Sequence, residues 1–197
     1  MVRHGGLCLI LAHPDDETSF AVGMIVQARR AGRRVELILA TAGEGGTPAP
    51  GTAPTQPDVV FTFAPDGHDS HPDHIGIHAL ASEAQPLAEQ PSGSIPDSAL
   101  LPPTVLWTTG VPPSDACDGT ALSARSDVDY LLELGEDRDV KGCALRLHHS
   151  QQHHISRHFF GASESEPPAG FEVFRHSAGP RLAGPYPFLH LFHTPES

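Results

Sequence analysis

Apolar residues fall in short runs, separated by polar stretches rich in glycine and proline. Leu7-Cys8-Leu9-Ile10-Leu11 has the length and continuity of a buried strand, so a strand is predicted over Leu7–Ala12. Phe20, Ala21, Met24, Ile25 and Ala28 follow at helical spacing. Thr18 or Ser19 can cap that helix and Gly32 can end it, which predicts a helix from about Ser19 to Ala31. Val35–Ala40, apolar apart from Glu36, reads as a second strand and Val59–Phe63 as a third. Pro72 suits the first turn of a helix reaching to about Ala84. Val105–Thr108 is another strand candidate, whereas Val128–Leu134 is too mixed to assign. Val140, Cys143, Ala144 and Leu147 stand at i, i+3, i+4 and i+7, predicting a helix with one buried face. Glu172–Arg175 and Phe188–Phe192 are short β candidates near the C-terminus. Thr47–Gln56, Ala88–Pro103, Ser114–Ser126 and Glu164–Gly170 read as loops. Alternating strands and helices predict an α/β protein with a mainly parallel, doubly wound sheet. In such a sheet ligands bind at the carboxyl ends of the strands.

Two of those strand ends carry the candidate chemistry. The first strand empties into Ala12-His13-Pro14-Asp15-Asp16-Glu17, one imidazole and three carboxylates in a single turn. Such charge beside a core strand is costly unless compensated, and a divalent cation would compensate it. An acidic helix start stabilised by the helix dipole is the plain alternative. The third strand empties into Pro65-Asp66-Gly67-His68-Asp69-Ser70-His71-Pro72-Asp73-His74. His71 and His74 are three apart and can face one point from a helix start. His13, Asp16 and His74 together make a two-imidazole, one-carboxylate zinc set with an open fourth position. Asp15 and His71 are then left as acid–base groups. This donor set favours zinc over magnesium or calcium, and Fe²⁺ fits it as well.

Other histidines have both plain and chemical readings. His78 lies one turn beyond His74 and is a further ligand or a solvated helix residue. Five histidines between His148 and His158 invite a second metal site, or simply face solvent. Glu44, in the loop after the second strand, either acts at the site or hydrogen-bonds backbone.

Composition narrows the setting. The 197 residues are enough for one domain with a substantial core. A formal net charge of −12 speaks against nucleic acid or an anionic membrane as partner. The three cysteines, at 8, 117 and 143, form no paired pattern that suggests a disulfide framework. The apolar run near Met1 is too short for a signal peptide, and no run approaches the ~20 residues that span a bilayer. The cytoplasm is the expected location. There is no G-x-G-x-x-G to point to a dinucleotide.

The order AHPDDE then HPDH resembles the PIG-L/LmbE-like family of zinc-dependent deacetylases, which act on N-acetylglucosamine-containing substrates. Thr41-Ala42-Gly43-Glu44-Gly45-Gly46 is similar to that family's loop after its second strand, and Pro57–Thr62 to the strand before its histidines. Lys141, Ala144-Leu145 and His148-His149-Ser150-Gln151 resemble its late helix ending in H-x-S-Q. The resemblance implies a single Rossmann-like deacetylase domain over residues 1–197, with zinc held by His13, Asp16 and His74. It implies a small N-acetylated sugar conjugate as partner, with amide hydrolysis as the reaction. In that reading Asp15 is the general base and His71 stabilises the oxyanion. Asp73 either orients His71 or His13, or is an ordinary helix-start carboxylate. Relatives carry a further helix–strand–helix between the TAGE loop and the PDVVFT strand, and here that segment is missing. Its loss predicts that the second strand is an open sheet edge, prone to homo-oligomer formation. It also keeps two other readings open: a zinc amidase on a related thiol-sugar conjugate, and a non-catalytic metal-binding relative.

Overall fold

The computed structural model describes residues 6–41, 57–88, 103–108, 110, 112, 125–160, 167–182 and 191–193. The chain runs β1 (Gly6–Leu11), α1 (Asp16–Phe20), α2 (Val22–Arg30), β2 (Arg34–Leu39) and β3 (Val59–Phe63). A short helical turn α3 (Gly67–Ser70), α4 (Pro72–Ala88), β4 (Thr104–Thr108) and β5 (Tyr130–Glu133) follow. Then come α5 (Asp137–Leu147), a 3₁₀ turn (His149–Gln151), α6 (Gln152–Phe159), β6 (Phe171–Ala178) and β7 (Leu191–His193). The expected helix after β1 begins earlier, at Asp16, and breaks at Ala21 (φ −141°, ψ 16°) into two pieces. Val128–Leu134, unassigned by pattern, contains β5. The TAGE loop beyond Thr41, with Glu44, and the Thr47–Gln56 stretch lie outside the described residues.

The seven strands form one sheet in the order β2-β1-β3-β4-β6-β5-β7. β1 pairs in parallel with β2 and β3, and β3 in parallel with β4. β6 is antiparallel to both β4 and β5, and β7 is antiparallel to β5. The sheet is therefore mixed: β1 to β5 share one direction, as expected of a mainly parallel sheet, and β6 and β7 run against them. The chain enters β6 from the sheet end at which it left β5, so the last two strands depart from the expected parallel arrangement.

The central strands are apolar because both their faces are covered. Leu7, Leu9, Leu11, Phe61, Phe63, Leu106, Leu132 and Phe174 are buried in one core with Phe20, Met24 and Ala28 of the first helices. β2 differs. It stands at the sheet margin, and Leu37 and Ile38 are 44% and 53% exposed. Among the described residues nothing pairs with its outer side, as the short connection to β3 predicts.

α5 overturns one expectation outright. Val140, Cys143 and Leu147 are exposed, and the face turned inward is Asp137, Lys141, Gly142 and Leu145. Charge pairing explains the rotation. The Lys141 ammonium meets the buried Glu172 carboxylate at 3.0 Å, and that carboxylate also accepts the Gly23 N–H at 3.1 Å. Asp137 pairs with Arg30 at 2.6 Å. Among the described residues, no helix is long and apolar enough to cross a membrane.

Candidate metal centre

From β1 the chain passes to β2 on one side, then crosses to β3 and β4 on the other. The carboxyl ends of β1 and β3 are therefore neighbours whose chains depart in opposite directions, which opens a crevice at the sheet edge. Both His/Asp-rich turns lie there.

The β1 turn is built around Asp16, the first residue of α1. Its Oδ2 accepts the backbone N–H groups of Ala12 at 3.1 Å and His13 at 2.7 Å, folding the turn onto its own carboxylate. Asp15 has φ 151°, a region side chains rarely adopt, and its carbonyl accepts from Thr18 and Ser19 at 3.0 and 2.8 Å. Strain of this kind persists where surrounding bonds over-determine it. The Asp15 N–H donates to Glu17 Oε2 at 3.2 Å.

The β3 turn begins with Asp66, whose side chain accepts the His68 N–H at 3.0 Å. Gly67 follows with φ +66°, and a Cβ there would lie 2.8 Å from Ile75 Cγ1. The closeness lets its carbonyl accept Nδ1–H of His74 at 3.0 Å. That bond leaves His74 Nε2 as the bare nitrogen. On the facing turn, the Asp73 carboxylate takes Nε2–H of His13 at 2.9 Å, leaving His13 Nδ1 bare. The two bare nitrogens stand 3.3 Å apart. Asp16 Oδ1 is 3.5 Å from His74 Nε2, and Asp16 Oδ2 is 3.7 Å from His13 Nδ1. A tetrahedral ion with bonds of ~2.0–2.1 Å spaces its ligand atoms about 3.3–3.4 Å apart. The two imidazole nitrogens stand at that spacing, and one Asp16 oxygen approaches each of them.

His71 is close enough to compete. One ligand atom each from His13, His71 and His74 lie within 4.8 Å of one another, and this group can hold a metal ion. Yet His71 Nδ1 accepts the Asp73 N–H at 3.2 Å, so the neutral ring carries its proton on Nε2. That nitrogen is a donor. The His71 ring stacks on His74 at 4.7 Å, and His74 is backed on its other side by Phe63 at 3.9 Å.

Electrostatics distinguish the neighbours. Burial, and then the adjacent Asp16 charge, push the Asp15 carboxyl above the usual carboxylate range. His148 and His13 pull in the other direction but do not prevail. Burial disfavours the His74 cation, but hydrogen bonding to Asp16 and its charge outweigh it and raise the imidazole. The hydrogen bond to His13 holds Asp73 below its ordinary value.

The remaining histidines separate clearly. His78 Nδ1 donates to the Phe63 carbonyl at 2.9 Å and its ring meets Trp107 edge-on, so it is neither a solvated residue nor part of the centre. His148 reaches Thr18 Oγ1 at 3.1 Å, on the helix that carries Asp16. Sequence reasoning missed Asp69, which lies 3.5 Å from His74 Nδ1 and accepts the His71 N–H at 3.0 Å. Its membership of the same His/Asp-rich turn was the available signal.

Fold and centre together define an α/β protein with a histidine-rich crevice at the carboxyl edge of its sheet, where His13, His71 and His74 could hold a metal ion. A sequence model of the family described as PIG-L: GlcNAc-PI de-N-acetylase matches residues 8–55, so this part of the chain is similar to that family. The match takes in His13, Asp15 and Asp16 and stops before His71 and His74. No curated protein matches the chain.

Proposed function

We infer that this chain is a zinc-dependent deacetylase, a single domain over residues 1–197 that removes the acetyl group from an N-acetylglucosamine-containing substrate. The observation that carries the reading is the pair of bare imidazole nitrogens 3.3 Å apart, each fixed by a hydrogen bond on its far side. Asp16 completes the ligand set in preference to His71, because a carboxylate has lone pairs to give and His71 Nε2 carries a proton. Zinc suits two imidazoles and a carboxylate, and ferrous iron suits the same set. We read the fold as a Rossmann-like, doubly wound variant lacking one helix–strand–helix between β2 and β3.

A divalent ion bound here supplies Lewis acidity to the acyl carbonyl and the attacking water. The residues supply the rest. Asp15, next to Asp16 but directed elsewhere, takes a proton from the water as its oxygen bonds to the acetyl carbon. Its raised pKa suits a base that must then give that proton to the nitrogen as the C–N bond breaks. Acetate and a free amine leave. His71 donates Nε2–H to the oxygen that becomes negative. Asp73 holds the His13 ring in its tautomer, as the Gly67 carbonyl does for His74. The partner is a small N-acetylated sugar conjugate in the cytoplasm, and the net charge of −12 speaks against nucleic acid.

The test is amine release from a panel of N-acetylglucosamine conjugates by the zinc-loaded protein. We expect release that stops in His74→Ala. Release only from a cysteinyl-sugar amide would favour the thiol-sugar amidase. Absence of release from every conjugate, with zinc bound, would leave metal binding without catalysis.

A further inference from the structure

The proposed mechanism makes no use of the histidines of α6. His154 and His158 are one helical turn apart, with ring centroids 4.3 Å apart and planes inclined by 30°. Ile155 and Phe159, each one position further along, are buried in a small cluster with Leu145 and Phe160. Those two anchors share the same i, i+4 spacing. They fix the rotation of the helix and leave the two imidazoles side by side on its exposed surface. Two histidines at this spacing on one helix face can bring a nitrogen each to a single ion without moving the backbone. The helix is thus preorganised for chelation by packing that has nothing to do with the metal.

The local charge is compatible with a cation. Burial, and then His154 and Arg157, hold His158 below the usual imidazole range, which favours a neutral ring with a lone pair to offer. Arg157 opposes an incoming cation. Asp69, in the β3 turn, acts on His158 with the opposite sign, more weakly than Arg157.

We propose that His154 and His158 form a second metal site, a two-histidine surface chelate for a late first-row divalent cation. Water fills its remaining positions. With two protein donors instead of three it binds more weakly than the inner centre, and it favours copper or nickel over zinc.

Calorimetric titration of the metal-free chain with zinc alone tests this. The parent should take up two equivalents, one tight and one weaker. His154→Ala/His158→Ala should keep the tight equivalent and lose the weaker one. His149→Ala/His153→Ala should keep both, which separates a defined pair from a generally histidine-rich surface. Should the alanine pair disturb α6, His154→Gln/His158→Gln preserves side-chain bulk and should show the same loss. Imidazole NMR resonances of His154 and His158 should shift with the second equivalent. A parent with a single equivalent would overturn the proposal. So would a weaker equivalent that survives either replacement of the pair, or one that vanishes in His149→Ala/His153→Ala.

Discussion

Asp15 and Asp16 are adjacent residues of one type with different environments. Asp16 is buried, its carboxylate committed to two backbone N–H groups and aimed at His74 and His13. Asp15 sits on a strained backbone with its carboxyl pushed towards the neutral form by burial and by Asp16. Asp15→Asn keeps size and much of the hydrogen bonding but cannot take up a proton. It should keep its metal while kcat falls by about 10²–10⁴, the usual share of a general base. Steady-state kinetics beside metal analysis checks this, and near-parent turnover would remove Asp15 from the role. At this scale the meeting of His13, Asp16 and His74 was legible because strand–turn–helix patterning puts both turns at the same sheet edge. Asp69 was not. The β3 turn passes through positive φ at His68 and Ser70, and such a path sends side chains where no spacing rule predicts.

Elements were legible where hydropathy alone decides them. β1 and β3 are buried on both faces, and their apolar runs give their position to within a residue. α5 was legible as a helix but not in its orientation, because hydropathy scores Lys141 as a surface residue. The buried pair with Glu172 reverses that. Lys141→Ala would leave the Glu172 charge buried without its partner and should cost about 3–5 kcal/mol in urea-unfolding stability. A loss under 1 kcal/mol would mean that Glu172 finds another partner or takes up a proton. β2 allows a finer test. Ala40 N–H donates to Leu11 of β1, so by alternation the Ile38 N–H also faces β1, while those of Leu37 and Leu39 face outward. Leu37 and Leu39 amides should exchange fast in a monomer, and Ile38 and Ala40 slowly. Protection of Leu37 and Leu39 that rises with concentration would indicate pairing of two edges. The same protection in a dilute monomer would mean that another segment covers this edge.

For the whole molecule, the strand–helix alternation predicted the α/β class and the shared direction of β1 to β5, but not that β6 and β7 run against them. The centre also couples the chain's stability to pH. His74 is raised in the folded state, so its contribution is fully present below the unfolded imidazole value of ~6.5 and is lost as pH rises through the folded value. His68 and His158 are lowered, so their effect runs the other way and is complete by pH ~6.5. Metal-free protein should therefore lose thermal stability as pH rises above about 6.5. The metal-bound form should not, because the ion takes the His74 nitrogen in its neutral state. Melting curves with and without a chelator check this, and parallel pH profiles for the two forms would contradict it. The proposed ligand set is His13, Asp16 and His74, with His71 kept free as a donor. Its most direct test is the tightly held metal per chain, measured after passage over a chelating resin, in the parent, Asp16→Ala and His71→Ala. The parent and His71→Ala should each retain one ion, and Asp16→Ala almost none. Retention in Asp16→Ala with loss in His71→Ala would contradict it and assign the centre to the three histidines.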